Sequence, residues 1–330
     1  MRKLNLSFAC APYDRIVPLL TGEVQVEGIE LVYIPLDVEE IFWRQIRHEE
    51  FDISEMSFSS YIIARSQGDE RFIAIPVFTS RCFRHSAIYV NAECGIQHPR
   101  DLKGKIVGVP EYQLTAIVWV RGILQHDYGV HPSEIKWRYG GLEQPGREEK
   151  VKISLPPEIE YQPIPEGRTL SEMLEKGEID ALISPRAPSC FTRGSGKVKR
   201  LFENYREQEE EYFKRTGIFP IMHTIVIKNS VYSRHPWIAG SLYKAFLLAK
   251  EIWARNLRKL NALYVMLPWL DDELRRTIEI MGPDYWPYGI EENRKVIETL
   301  CEYCYEQGLA KRKVSIDELF APETRDFFKI

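Results

Sequence analysis

Short apolar runs take turns along the chain with amphipathic stretches of helical period, and the alternation falls into two blocks. LNLSFA reads as a strand, CAPYDR as a loop, and RIVPLLTG as a helix closed by Gly22. The strand-like IELVYIPL precedes EEIFWRQIRHEE, where Ile41, Phe42 and Ile46 fall at helical spacing. FDISEMSFSSYIIARSQG gives a short strand, a Ser-rich turn and a helix ending at Gly68. RFIAIPVF and SAIYVN are strands on either side of a loop that carries Arg81, Arg84 and His85.

The second block starts at DLKGKIVGVPEYQLTAIVWVRGILQHDYGV. KIVGV reads as a buried strand, and Pro110 with Glu111 is expected to open a helix running to about Tyr128. IKWRYG is a strand, and GLEQPGREEKVKISLPPEIEYQPIPEG, rich in Pro and charge, is an irregular insertion. Thr169 with Glu172 matches a capping box, Gly177 supplies the end of that helix, and IDALIS is a strand. A helical NYREQEEEYFKRTG leads to the strand IMHTIVIKN. Helices follow from His235 to about Asn261, Asp271 to Met281 and Glu291 to Gln307, and Ser315 with Glu318 caps a last turn. There is no internal repeat and no low-complexity tract.

Alternating strands and helices predict α/β lobes, each a mostly parallel sheet flanked by helices. The strands SAIYVN and MHTIVIKN are placed to cross between two such lobes. The first lobe is expected to comprise 1–91 with 223–330, and the second 92–222. Ligands in such sheets bind beyond the carboxyl ends of strands and favour the cleft between lobes.

Bulk properties agree and narrow the function classes. A length of 330 residues favours two domains over one, and 28% charged with 44% hydrophobic residues is an ordinary globular mix. The net charge of −4 gives no global field toward nucleic acid or an anionic membrane. The first residues lack a secretory apolar run of roughly 7–15 residues, and no stretch approaches the roughly 18 apolar residues of a membrane span. A cytoplasmic protein is therefore expected. Its six cysteines are expected to be free thiols, with Cys301-x-x-Cys304 structural, because no second Cys/His pair stands at zinc spacing.

Five loops follow predicted strands and are expected to open into the cleft. They are Cys10 to Arg15, with Asp14; Glu55 to Ser60, with Ser57 and Ser59; the Arg81, Arg84, His85 loop; Pro110 to Thr115, with Glu111 and Tyr112; and Ser184 to Cys190, with Arg186. Helix starts favour anions through free N–H groups, and the arginine fork suits carboxylates. An ordinary structural role remains the alternative for each arginine taken alone. His85 and His223 sit beside crossing strands and are either cleft-facing or hydrogen-bonded hinge residues. His48, His98, His126, His131 and His235 fall in helices or charged turns and read as solvated. No HExxH, paired Cys/His set or Asp-rich loop points to a metal, no glycine-rich phosphate loop to a nucleotide, and no G-x-S-x-G to a hydrolase.

YDR at Tyr13–Arg15, EEIFWRQIRHEEFDISEMSFSSYI, IAIPVFTSRCFRHSAIYVN, KIVGVPEYQLTAIVWVRGILQHDYGV, GRTLSEMLEKGEIDALISPRAPSCF, RTGIFPIMHTIVIKNSVYSRHPW and ELFAPETRDFFKI together resemble the 4,5-dihydroxyphthalate decarboxylase family. The resemblance runs almost the whole chain. It implies a fold like that of type II periplasmic binding proteins, and loss of carbon dioxide from an aromatic dicarboxylate to leave protocatechuate, with no organic cofactor. The implied partner is that small dicarboxylate; whether copies of the chain associate stays open.

Such chemistry needs a proton delivered to the ring carbon that bears the departing carboxylate, and a para hydroxyl whose deprotonation feeds electron density to that carbon. Arg81, Arg84, Arg186 and the Tyr112–Thr115 helix start are assigned to carboxylate binding. The proton donor is His85 or His223. Glu111, Glu55 or Asp14 would orient that histidine or accept the phenol proton. The competing reading is a solute-binding protein for an aromatic carboxylate that performs no chemistry.

Overall fold

A computed structural model describes residues 3–325. The end of the ELFAPETRDFFKI string, 326–330, and the first two residues lie outside the described residues, as do those ends of the expected first lobe.

The chain begins with β1 (Leu4–Ala9), α1 (Val17–Leu20) and β2 (Ile29–Ile34). It continues through α2 (Val38–His48), β3 (Ile53–Ser57), α3 (Phe58–Ser66) and the long β4 (Phe72–Arg81). Helix α2 buries Ile41, Phe42 and Gln45 and leaves the opposite face wet, as its spacing requires. Strand β3 is buried at every position, polar ones included, so its Glu55 and Ser57 must find partners inside the protein.

After β4 the chain enters a second sheet with β5 (Ile88–Asn91) and β6 (Ile106–Val109). Helix α4 (Thr115–Tyr128), β7 (Lys136–Tyr139), β8 (Tyr161–Pro163), α5 (Leu170–Glu175) and β9 (Ala181–Ile183) follow. The second block ends with α6 (Ser189–Thr192), β10 (Val198–Arg200) and α7 (Tyr205–Thr216). Strand β11 (Ile221–Lys228) returns to the first sheet, and α8 (Asn229–Tyr232), α9 (Trp237–Leu257), α10 (Leu270–Met281), α11 (Arg294–Glu306) and α12 (Ile316–Leu319) complete the fold.

The first sheet has the order β2-β1-β3-β11-β4 and the second β10-β5-β9-β6-β7-β8. Each sheet is parallel through its own strand–helix units, β2-β1-β3 and β9-β6-β7-β8. It turns antiparallel where a crossing strand enters, at β11 and at β5 with β10. The sheets are thus mixed rather than mostly parallel, because a strand arriving from the other sheet runs against its new neighbours. Helix α11 packs on both α3 and α4, tying one helix of each sheet together.

Three local expectations change. Helix α4 starts at Thr115, not Pro110, because the Glu111 carboxylate is taken by Lys150 and Arg147 instead of capping a helix. The irregular insertion contributes the edge strand β8. Strand β4 bulges: His223 faces Ser80 while Ile225 faces Ile75. Pro76 lacks the amide hydrogen that a regular ladder needs, and the freed carbonyls of Pro76 and Phe78 accept from Gly289 N at 2.9 Å and Trp286 Nε1 at 2.9 Å.

Gly122 lets α4 approach α11 closely, since a Cβ there would lie 2.1 Å from ring atoms of the buried Tyr303. Gly122→Ala is expected to destabilise the protein by about 1–3 kcal/mol through this overpacking, read as a lower urea midpoint; an unchanged midpoint would contradict the packing described.

Candidate active site

The carboxyl ends of β1, β3 and β4 and the start of β11 meet at one buried carboxylate. Oε1 of Glu55 accepts from Tyr13 Oη at 2.7 Å, from Thr79 Oγ1 at 2.9 Å and from His223 Nδ1 at 2.7 Å. Oε2 accepts from Ala11 N at 3.3 Å and contacts Cys10 Sγ at 3.7 Å. Burial pushes the Glu55 carboxyl upward, but His223, Tyr13 and Thr79 outweigh it and hold the group below the usual carboxylate range. Glu55 is therefore an anion inside the protein. Burial and that anion push the phenol of Tyr13 well up, so Tyr13 stays a neutral donor.

His223 is only partly covered, and its ring meets Phe42 edge-on at 4.8 Å. With Nδ1 bound to Glu55, Nε2 is the nitrogen available to a ligand. Arg15 braces the arrangement from outside. Its guanidinium lies 4.1 Å from the Tyr13 ring and 4.4 Å from the Trp286 ring, donates to the Thr79 carbonyl, and pairs with Asp14 at 2.9 Å.

Next to this group the two sheets touch through hydroxyls. Ser57, the β-ladder partner of His223, shares a hydrogen bond with Thr115 at 2.9 Å. Ser59 N donates to Thr115 Oγ1 at 3.1 Å, and Ser59 Oγ to the Gln113 carbonyl at 2.6 Å. The first turns of α3 and α4 are thereby joined. A cavity of about 470 Å³ is lined by Leu114, the residue before Thr115, with Glu39, Pro110, Arg147, Ser184 and Arg186, among others. Glu111 is buried behind it, paired with Arg147 at 2.6 Å and Lys150 at 2.5 Å.

The structure thus brings Asp14, Arg15, Glu55, Ser57, Ser59, Thr115 and His223 into one region, while Arg186 lines the cavity that Leu114 also lines and Glu111 is paired with its Arg147. Several other expected residues are elsewhere. Arg81 is buried with its fork on the carbonyls of Phe219 (3.0 Å) and Pro287 (2.8 Å) and on Asn293, so it braces the C-terminal segment rather than awaiting an anion. Arg84 turns its Nε to Met222 Sδ at 3.3 Å. His85 is wedged between the rings of Phe202 and Tyr212, each 5.3 Å away, beside Asp127 and Arg215 on another cavity. Tyr112 is a core ring under the Arg121 guanidinium, 3.5 Å away, and its backbone N–H is held by Glu149 at 2.6 Å. The loop of Arg81, Arg84 and His85 therefore does not converge on one anion.

Sequence reasoning missed Tyr13, Thr79, Glu39 and Arg147. Tyr13 stood within the quoted YDR, next to two assigned residues. Glu39 reads as an ordinary solvated helix charge, and Arg147 lies in a stretch without any period. Among the described residues no group of three or more His, Cys, Asp or Glu side chains is placed to hold a metal ion, and no helix is long and apolar enough to cross a membrane.

No protein-family model matches the chain. Among solved structures, the periplasmic aliphatic sulphonate binding protein SsuA from Escherichia coli superposes with a TM-score of 0.53 at 11% identity, covering 96% of this chain and 97% of that one. The periplasmic sulfonate-binding protein SsuA from Methylobacillus flagellatus KT gives 0.53 at 14% identity, covering 98% and 93%. At such identities the likeness is one of fold, and the architecture is that of the periplasmic solute-binding proteins. Sequence likeness goes further. A 4,5-dihydroxyphthalate decarboxylase from Comamonas testosteroni is 46% identical over 330 residues, 100% of both chains, and one from Pseudomonas putida is 48% identical over 214 residues, 65% of this chain and 83% of the relative. The chain belongs to the 4,5-dihydroxyphthalate decarboxylase family.

Burial lowers the His85 imidazole to about 4. In the unfolded chain it titrates near ~6.5, so on acidification the unfolded state takes up the proton first. Its contribution to stability is whole above ~6.5 and is lost as pH falls toward the folded value, roughly 3 kcal/mol in all. His85→Phe, which suits the aromatic niche, is expected to flatten urea stability against pH between about 7 and 4.5; an unchanged slope would refute the buried neutral state.

Proposed function

We propose that this protein removes one carboxylate of 4,5-dihydroxyphthalate as carbon dioxide and leaves protocatechuate, with His223 as proton donor and Glu55 as its positioning partner. The 2.7 Å contact between a buried, ionised Glu55 and the partly open ring of His223 carries this reading. In the reaction, the hydroxyl para to the departing group gives its proton to solvent water before closure, and the resulting phenolate raises electron density at the carbon that bears the carboxylate. His223 delivers a proton from Nε2 to that carbon and the ring loses its aromaticity. The bond to the carboxylate then breaks, its electron pair restores the ring, and carbon dioxide leaves. Glu55, bound to Nδ1, holds the ring so that Nε2 is the nitrogen that delivers the proton.

Of the two histidines weighed from the sequence, His85 is the weaker donor, since it is buried and held neutral, and the nearby Asp127 is paired with Arg215 rather than bound to the imidazole. Glu111, between Arg147 and Lys150, and Asp14, paired with Arg15, are each engaged by cations, which favours Glu55 as the orienting group. Ser57, Ser59 and Thr115 are assigned to holding the ring, because Ser57 is the ladder neighbour of His223 and the others bond to it. The two sheets would act as hinged halves, and their closure would exclude water from the site. The breaks would fall before β5 and before β11 rather than at the expected 91 and 222, since β5 pairs in the second sheet and all of β11 in the first. Catalysis is placed in the cytoplasm, in keeping with six free cysteines.

Purified protein given 4,5-dihydroxyphthalate is expected to release carbon dioxide. Binding without release would support a solute-binding role instead. His223→Asn is expected to lower kcat by about 10²–10⁴-fold while phthalate binding changes only a few-fold. Near-normal turnover in that variant would refute the donor assignment. Glu55→Gln is expected to shift the pH profile of kcat as well as its height, which loss of a merely structural contact would not do.

A further inference from the structure

Glu39 occupies an unusual position for a surface-type helix residue. It stands in the first turn of α2, beside the first sheet, yet its two oxygens reach across to two arginines carried by loops of the second. Oε2 is 3.0 Å from Arg147, in the loop after β7, and Oε1 is 3.6 Å from Arg186, in the loop after β9. One carboxylate thus bridges two guanidinium groups at the wall of the cavity of about 470 Å³, a size within the ~300–1,000 Å³ of small-molecule sites.

We infer that Arg147 and Arg186 form the receptor for the retained carboxylate of an aromatic dicarboxylate, and that Glu39 fills this receptor until the substrate takes its place. The inference rests on the dicarboxylate reading above.

Three observations carry it. The charged side chains lining the cavity are Glu39, Glu143, Arg147 and Arg186, and each has a partner, so an incoming anion must displace one of them. Glu143 is held by Ser189 N at 2.7 Å and Ser189 Oγ at 2.6 Å, outside the arginine pair. The Glu111 arm of Arg147 is buried, whereas Glu39 and Arg186 are partly or largely exposed, so the Glu39 arm is the one that opens most easily.

Exchange of one carboxylate for another preserves the charge balance and returns Glu39 to water. Buried Glu111 and Lys150 keep Arg147 in place during the exchange. The departing carboxylate is the wrong occupant for this receptor, because pairing it with two cations would stabilise the ground state and slow its loss. The retained one suits it. The same exchange links binding to His223 and Glu55: Phe42, one helical turn after Glu39, is packed on the His223 ring.

Phthalate, which carries both carboxylates and no ring hydroxyl, is the probe, with calorimetric Kd as the readout. Arg147→Gln is expected to weaken binding at least about tenfold and Arg186→Gln about threefold or more. Glu39→Gln, which removes the competing carboxylate, is expected to tighten it several-fold. The inference is overturned if Glu39→Gln weakens phthalate as much as Arg147→Gln does, since the trio is then a structural latch. It is also overturned if both arginine variants bind normally or if the wild-type protein does not bind phthalate. Should Arg147→Gln fail to fold, Arg186→Gln and Glu39→Gln decide alone. Retained turnover in His223→Asn bears on the proton donor only and leaves this series to be judged on its own.

Discussion

The carboxylate of Glu55 reaches no water and is answered on every side by the protein. Donors from the loop after β1, from the bulge of β4 and from β11 surround it, so three segments far apart in sequence must be in register before the charge is tolerated. Leaving a buried acceptor short of a hydrogen-bond donor costs about 1–3 kcal/mol, and more for a charged group, which penalises structures in which β11 slips along β3. The same constraint that aligns the returning strand fixes the ring of His223. Fold and candidate chemistry share one interaction.

Much of the region around Glu55 is held by irregular backbone rather than regular elements. Pro76 interrupts the β4 ladder, and the segment 76–79 is then anchored by Gly289, Trp286 and Arg15. Through Trp286 and Arg15 the C-terminal segment supports Tyr13 and Thr79, and through them Glu55. The fold is shared with solute-binding proteins, but a fold does not select a function; an internally solvated carboxylate touching a partly exposed imidazole is a specific chemical device.

The two blocks of alternating strands and helices, and the crossing strands β5 and β11, were legible in the chain because apolar runs and their periods are local properties. Glu55, Ser57 and His223 were legible because each falls in or beside a short apolar run, although β3 extends through Ser57 and so holds Glu55 at its centre rather than in the loop expected there. The Arg81–His85 loop shows the limit. Its cations also follow a strand, yet Arg81 is claimed by Pro287 and Asn293, and His85 by Phe202 and Tyr212, residues more than a hundred positions away. Nothing within the loop encodes which face those partners will cover. Arg147 was hidden for the opposite reason, since its segment has no period from which to assign a face.

The orientation of the His223 imidazole tests the central claim most directly. In protein labelled with ¹⁵N at the histidine rings, the neutral form of His223 is expected as the Nδ1–H tautomer, with the proton directed at Glu55 and Nε2 unprotonated, and Glu55→Gln is expected to alter that ¹⁵N pattern. An Nε2–H tautomer in the wild-type protein, or a His223 pattern indifferent to the loss of the Glu55 charge, would contradict the account.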